Sequence, residues 1–233
     1  VLEDMAKRKR PVANALKDWG LSHRFAGSGD RAAIGNIVYD TLRKKSSQMV
    51  FADSDDPRLS VFATLLRQWR YSNDELASLF AEDRFAPHYP TEDEIDLMCR
   101  EDVPGAPSGD LADIPQWCVD SFEANFGEDW IDEALALSQR PPLDIRVNML
   151  KSNREKIAGQ LSRSNPKHTK LARFGLRIAP GNRGSRLPNV QAEAGYQKGW
   201  FEIQDEGSQV VADLVFARPG EKILDYCAGA GGK

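Results

Sequence analysis

The residues best suited to chemistry stand together in Asp225-Tyr226-Cys227-Ala228-Gly229-Ala230-Gly231-Gly232-Lys233. A short apolar run, Ile223-Leu224, leads into an aspartate and then into Gly-x-Gly-Gly. Glycines allow a backbone to approach a ligand closely at the carboxyl end of a parallel strand. Three ligand loops compete for this pattern. A Walker-type phosphate loop needs Gly six residues before its Lys and Ser or Thr after it, and Cys227 holds the first of those positions. A dinucleotide fingerprint needs a further glycine that is missing here. A loop for S-adenosylmethionine needs an Asp and then Gly-x-Gly, which Asp225, Gly229 and Gly231 supply. A plain strand-to-helix turn is the remaining possibility, weakened by the four small residues that precede Gly232.

The other reactive side chains are sparse. Cys99, Cys118 and Cys227 form no CxxC pair, so neither a disulfide framework nor a Cys-rich zinc site is expected, and a reducing cytoplasm fits best. Cys99 and Cys118 lie in acidic sequence, which raises a thiol pKa rather than lowering it. Cys118 reads as core beside Phe122 and Phe126. His23, His88 and His168 lack i, i+4 spacing, so no metal site is expected.

Charge is strongly segregated beneath a net −4 over 233 residues. Residues 1–50 carry ten Lys and Arg against five Asp and Glu; residues 51–138 carry five against twenty-one. Residues 139–200 carry thirteen against three, and residues 201–233 three against six. The third block is a potential phosphate-binding surface, because each neutralised phosphate releases counterions. It includes Arg163, Lys167, Lys170, Arg173, Arg177, Arg183 and Arg186. The alternative is that the basic and acidic blocks attract each other across a domain contact. No apolar run reaches about 18 residues, so no membrane helix is expected, and the N-terminal stretch has no apolar signal core.

The elements that position these residues change character near 140. Before it, apolar spacing of three and four residues predicts helices, such as that carrying Leu59, Phe62, Ala63, Leu66 and Trp69. Ser28 is a candidate N-cap, and Ser72/Glu75, Thr91/Glu94 and Ser152/Glu155 have capping-box spacing. Trp19, Trp69, Trp117 and Trp130 fit helical core positions. Residues 102–115, rich in Pro and Gly, read as a loop. After Pro141-Pro142 the period becomes two: Leu143, Ile145, Val147 and Met149 alternate with Asp144, Arg146 and Asn148. Phe174, Leu176 and Ile178 predict a second strand, Trp200–Gln204 a third, and 222–227 a fourth. A strand at 222–227 standing alone would carry an unpaired edge. A helix is expected from about Asp205 to Phe216.

Here the sequence resembles a known family. Residues 225–233 are similar to the cofactor motif Asp-x-Cys-Ala-Ala-Pro-Gly-Gly-Lys of the Sun/Fmu/RsmB family of RNA cytosine-C5 methyltransferases. Ile145-Arg146-Val147-Asn148 resembles its Ile-Arg-Val-Asn strand. Gln204-Asp205-Glu206-Gly207-Ser208 resembles its Gln-Asp-Glu-Ala-Ser element, and Arg218-Pro219-Gly220-Glu221 leads into the cofactor strand as in the family. Gly229 and Ala230 depart from the family's Ala-Pro, freeing one backbone N–H. The helical part resembles, more loosely, the NusB-like RNA-binding domain of the family.

The resemblance implies a multidomain fold: an all-α NusB-like domain at 1–138, a small α/β (RRM/ferredoxin-like) subdomain at 139–203, and the beginning of a Rossmann-like methyltransferase domain at 204–233. It implies S-adenosyl-L-methionine held by Cys227, Ala228, Gly229, Ala230, Gly231, Gly232 and Lys233, and ribosomal RNA held by the basic layer. Arg146 and Asn148, on the polar strand face, together with Arg173 and Arg177, are the candidate RNA contacts. Methylation at C5 of cytosine requires a cysteine thiolate to add at C6 and activate the ring. In the family that cysteine lies downstream of the cofactor loop, so no catalytic residue is expected within 1–233 and this stretch alone is expected to be inactive. A cytoplasmic monomer is expected. The competing classes are a non-catalytic RNA-binding or antitermination-like module and a methyltransferase of another substrate.

Overall fold

The computed structural model describes residues 1–81, 83–185, 187–229 and 231. It divides into two compact units: Val1–Arg140 with Asn182–Arg186, and Pro141–Gly181 with Leu187–Lys233.

The first unit is helical. Its elements are α1 (Leu2–Arg8), α2 (Val12–Ser22), α3 (Ser28–Arg43), α4 (Lys45–Ala52), α5 (Pro57–Ala63), α6 (Asn73–Ala81), α7 (Glu92–Cys99), α8 (Ser108–Leu111), α9 (Val119–Phe126) and α10 (Trp130–Leu137). The apolar stripe of α5 buries Leu59, Phe62 and Ala63 with Leu66, Leu76, Ile95 and Met98 in one core. A second cluster joins Ala112, Ile114, Val119, Trp130 and Ala134, with Cys118 and Phe122 packed against it. The helix predicted to run through Trp69 instead widens after Ala63 into a π-helical stretch, Thr64–Gln68. Within the predicted loop 102–115, α8 forms one short turn. Trp117 corrects its core assignment: it is 83% exposed, on a short turn opened by Pro115.

Two of the three predicted capping boxes form. Ser72 and Glu75 exchange side-chain and backbone bonds, as do Thr91 and Glu94. At α3 the cap is Gly27, not Ser28, because the Asp30 carboxylate accepts the Gly27 N–H at 2.8 Å. At 152–155 the cap is Asn153, whose side chain accepts the Lys156 N–H.

A charged knot closes this unit. Asp40, 5% exposed, accepts from Trp69 Nε1 at 2.8 Å and Arg43 Nη1 at 3.0 Å, and pairs with Arg140. The segment 183–185 is tied to the same helices. Asn36 Nδ2 donates to the Gly184 and Ser185 carbonyls. Arg183 donates to the Trp69 and Arg70 carbonyls and stacks over Tyr71 at 3.9 Å. Arg140 and Arg183, counted in the basic block by sequence, therefore act inside the helical unit.

The second unit holds β1 (Leu143–Val147), α11 (Arg154–Gln160), β2 (Lys167–His168), β3 (Gly175–Ile178), α12 (Ala194–Gln197), β4 (Phe201–Ile203) and α13 (Glu206–Asp213). All neighbouring strands are antiparallel, in the order β2-β3-β1-β4. With a helix after β1 and another before β4, this is the split βαβ arrangement of ferredoxin-like folds. Ile145, Val147, Leu176, Ile178 and Phe201 from the strands and Ile157 and Leu161 from the α11 region form its core. Gly175 sits where a Cβ would collide with the Thr169 side chain.

The strand predicted at 222–227 does not form: residues 221–225 have no regular structure. Ile223 and Leu224 are 59% and 82% exposed. A strand is stabilised by its ladder, and none of the described strands pairs with this segment. Likewise α13 stops at Asp213, and Leu214, Val215 and Phe216 are exposed.

Candidate functional site

The second unit is organised around one buried ion cluster. The Asp144 carboxylate, 3% exposed, accepts from Arg177 Nε at 2.7 Å and Arg177 Nη2 at 2.6 Å. It also accepts the Glu206 N–H at 2.9 Å, at the start of α13. Glu206 lies 3.2 Å from the same guanidinium, and its other oxygen accepts the Leu171 and Ala172 N–H groups at 2.5 and 3.1 Å. One arginine thus ties β1, β3, the 169–172 turn and α13 together. The Ile145–Asn148 and Gln204–Ser208 motifs meet here: Ile145 pairs with Ile203, and Gln204 donates its N–H to the Asp144 carbonyl at 3.1 Å.

The Leu171 N–H above all holds the Glu206 carboxyl below the usual glutamate range, aided by Ala172 and Arg177 and opposed by burial and Asp144. A depressed folded pKa stabilises the fold at pH values above the unfolded value, and that contribution disappears as pH falls through the folded one. Glu206→Gln is therefore expected to lower the melting temperature at neutral pH, with the difference closing below about pH 4. Parallel melts of the two proteins across this range check it; a constant gap would contradict the assignment.

Three of the four sequence-chosen RNA contacts have internal partners. Arg146 Nε donates to Glu202 Oε1 at 2.9 Å across β1 and β4. Asn148 Nδ2 donates to the Gly199 carbonyl at 3.0 Å, and its Oδ1 accepts the Leu150 N–H. Arg177 is the hub just described. Arg173 alone is exposed, with Phe174 beneath it at 5.2 Å. It continues a ridge along edge strand β2 and its turn, where Lys167, His168 and Lys170 are also exposed. Among the described residues, none of these four makes an ion pair. Trp200, immediately before β4, is half-buried. The structure sets Lys156 Nζ 3.9 Å and Lys198 Nζ 4.9 Å from its ring centre.

The Gly-rich loop is exposed throughout its described part. Gly229 and Gly231 have φ of +59° and +77°, a left-handed backbone that favours glycine. The Gly231 N–H closes a turn on the Ala228 carbonyl at 2.9 Å. A Cβ on either glycine would meet nothing within 4 Å, so the backbone there is unobstructed. Cys227 is exposed, as is Cys99. Ala230, Gly232 and Lys233, also assigned to the cofactor, lie outside the described residues, as does Arg186 of the basic block. Among the described residues, no cluster of His, Cys, Asp and Glu could hold a metal ion, and no helix is long and apolar enough to cross a membrane.

Residues 114–180 match the model of the ferredoxin-like domain of RsmF/B-like methyltransferases. The chain is 33% identical over 128 residues to the probable ribosomal RNA small subunit methyltransferase B of Synechocystis, covering 54% of this chain and 28% of that protein. It is 30% identical over 121 residues to the ribosomal RNA small subunit methyltransferase B of Pseudomonas putida, covering 51% and 26%. The chain thus aligns with about a quarter of the length of these relatives. Among solved structures, the crystal structure of PH0851 covers 93% of this chain and 54% of its own, with a TM-score of 0.54 at 18% identity. That likeness is one of fold.

Proposed function

Because the chain belongs to the Sun/Fmu/RsmB family, we propose that it works in an S-adenosylmethionine-dependent, cytosine-C5-specific methyltransferase of ribosomal RNA. The observation that carries this reading is the meeting of the two family motifs, 145–148 along β1 and 204–208 between the end of β4 and the start of α13, joined through Asp144 by the Gln204 and Glu206 N–H groups, in a chain that also holds the open glycine loop. The relatives' names support ribosomal RNA methylation. The base specificity rests on the motif resemblance.

In this reading Cys227, Ala228, Gly229 and Gly231, with Ala230, Gly232 and Lys233, hold the cofactor at the start of a Rossmann-like domain spanning 204–233. The bound cofactor supplies an electrophilic methyl group. The chain's own part is to offer unobstructed backbone there and to grip RNA through Lys167, Lys170 and Arg173. Trp200, between two lysines, offers an aromatic face beside positive charge, a pairing suited to an unstacked base. Arg146, Asn148 and Arg177 hold the strands behind that surface. The helical unit is a NusB-like RNA-binding domain, and the protein acts in the cytoplasm as a monomer.

The deciding experiment gives full-length protein, labelled S-adenosylmethionine and ribosomal RNA, and maps the modified base. Methyl label at C5 of one cytosine is expected. Gly231→Val is expected to abolish cofactor binding by calorimetry while RNA binding persists. RNA binding without methyl transfer would favour the non-catalytic module, label on another molecule would overturn the substrate, and normal cofactor affinity in the variant would overturn the loop assignment.

A further inference from the structure

The helical unit contains a cavity of about 520 Å³ whose chemistry runs against its surroundings. Residues 51–138 are strongly acidic in sum, yet Lys44, Arg67, Arg70 and Arg100 all line this cavity. Among the described residues, none of the four pairs with a carboxylate. Arg67 is instead fixed by the Met98 and Arg100 carbonyls, at 3.0 and 2.8 Å, and lies over the Phe51 ring at 3.3 Å. Arg100 Nη2 donates to the Val50 carbonyl at 2.7 Å. Burial and the neighbouring Arg70 and Arg100 charges hold Arg67 below the ordinary arginine value, opposed by Cys99. Two carboxylates, Asp113 and Glu101, share the wall. Asp113 is occupied by the Ser47 N–H and hydroxyl at 2.9 and 2.7 Å, and burial pushes its carboxyl up towards the neutral form.

Two buried polar groups at this cavity lack partners. Arg100 Nε has none, and Gln48, 2% exposed, has none for its amide oxygen. Buried polar groups are ordinarily satisfied, and an amide's O and N positions interchange by a flip. The wall therefore has a spare guanidinium donor, an amide that can donate, and an excess of fixed positive charge. An anion with several acceptor oxygens completes all three, and arginine forks suit phosphate geometry. The volume is in the range of small-ligand pockets and exceeds the needs of a bare ion.

We propose that this cavity binds a phosphate group carried on a nucleotide, supplied either by an RNA backbone or by a free nucleotide. Every residue in it lies in the helical unit, so the inference does not depend on the glycine loop or the basic ridge of the second unit; its RNA arm rests on the reading of the helical unit as RNA-binding.

The test uses the full chain with inorganic phosphate as probe, then a single-stranded RNA of roughly a dozen nucleotides. Phosphate is expected to raise the melting temperature beyond chloride at equal ionic strength and to protect Lys44 from an amine-reactive label. Lys44→Gln with Arg70→Gln, both away from the core, is expected to weaken phosphate binding at least tenfold. RNA affinity falling in parallel, with phosphate competing, identifies RNA as the source; with RNA affinity unchanged, adenosine monophosphate binding more tightly than inorganic phosphate identifies a free nucleotide, and equal or weaker binding overturns the nucleotide assignment. No stabilisation beyond chloride, or no protection of Lys44 in the unmodified protein, overturns the site even if the double variant fails to fold.

Discussion

Arg177→Met is expected to cost the second unit about 3 kcal/mol, within the range for removing one partner of a buried ion pair. The wild-type guanidinium faces Asp144, 3% exposed, and Glu206, 10% exposed. Methionine fills similar space but leaves two neighbouring carboxylates without their cation. Arg177 is itself 40% exposed, so solvent relieves part of the loss and the upper end of the range is not reached. Arg177→Lys keeps the charge but loses the fork, and an intermediate loss is expected. Urea titration with hydrogen exchange at the Ile145 and Leu176 amides reads this locally. Equal stability of the methionine variant and wild type would show that the cluster does not hold the sheet.

Reversing charge at Lys167, Lys170 and Arg173 together is expected to weaken RNA binding at least a hundredfold. These side chains are exposed and carry no ion pair among the described residues, so the substitutions leave the core untouched. If each neutralises one phosphate, the slope of log affinity against log salt becomes shallower by about 2, at roughly 0.7 per contact on single strands. Lysines on an edge strand also prevent sheet-to-sheet pairing. Glutamates would serve that purpose equally, so unchanged RNA affinity with unchanged solubility would leave only the protective role. Titration at several salt concentrations separates the two.

The functional residues were unevenly legible. Arg146, Asn148 and Arg177 stood out by type and by alternation on polar strand faces, but alternation does not say what lies across the sheet. Glu202 lies opposite Arg146, and Asp144 opposite Arg177, so neither cation is simply an exposed charge. Arg183 lay in the same basic block, yet its segment belongs to the helical unit. Asn153 took the cap from Ser152, and Asp30 selected Gly27 over Ser28, because a cap depends on which side chain reaches the free N–H. The paired lysines at Trp200 and the cavity beneath Arg67 had no local signal, since each joins residues distant in sequence.

Short-range pattern was enough to specify the helical character before 140, the strands β1, β3 and β4 after it, two capping boxes and the family motifs. Each depends on spacing within a few residues, which the chain states directly. Tertiary structure alone decided which cations are neutralised, which aromatic rings are covered, and that 222–227 remains without a strand. Those outcomes depend on long-range partners: a charge takes its role from the carboxylate facing it, and a strand exists only beside another that completes its ladder.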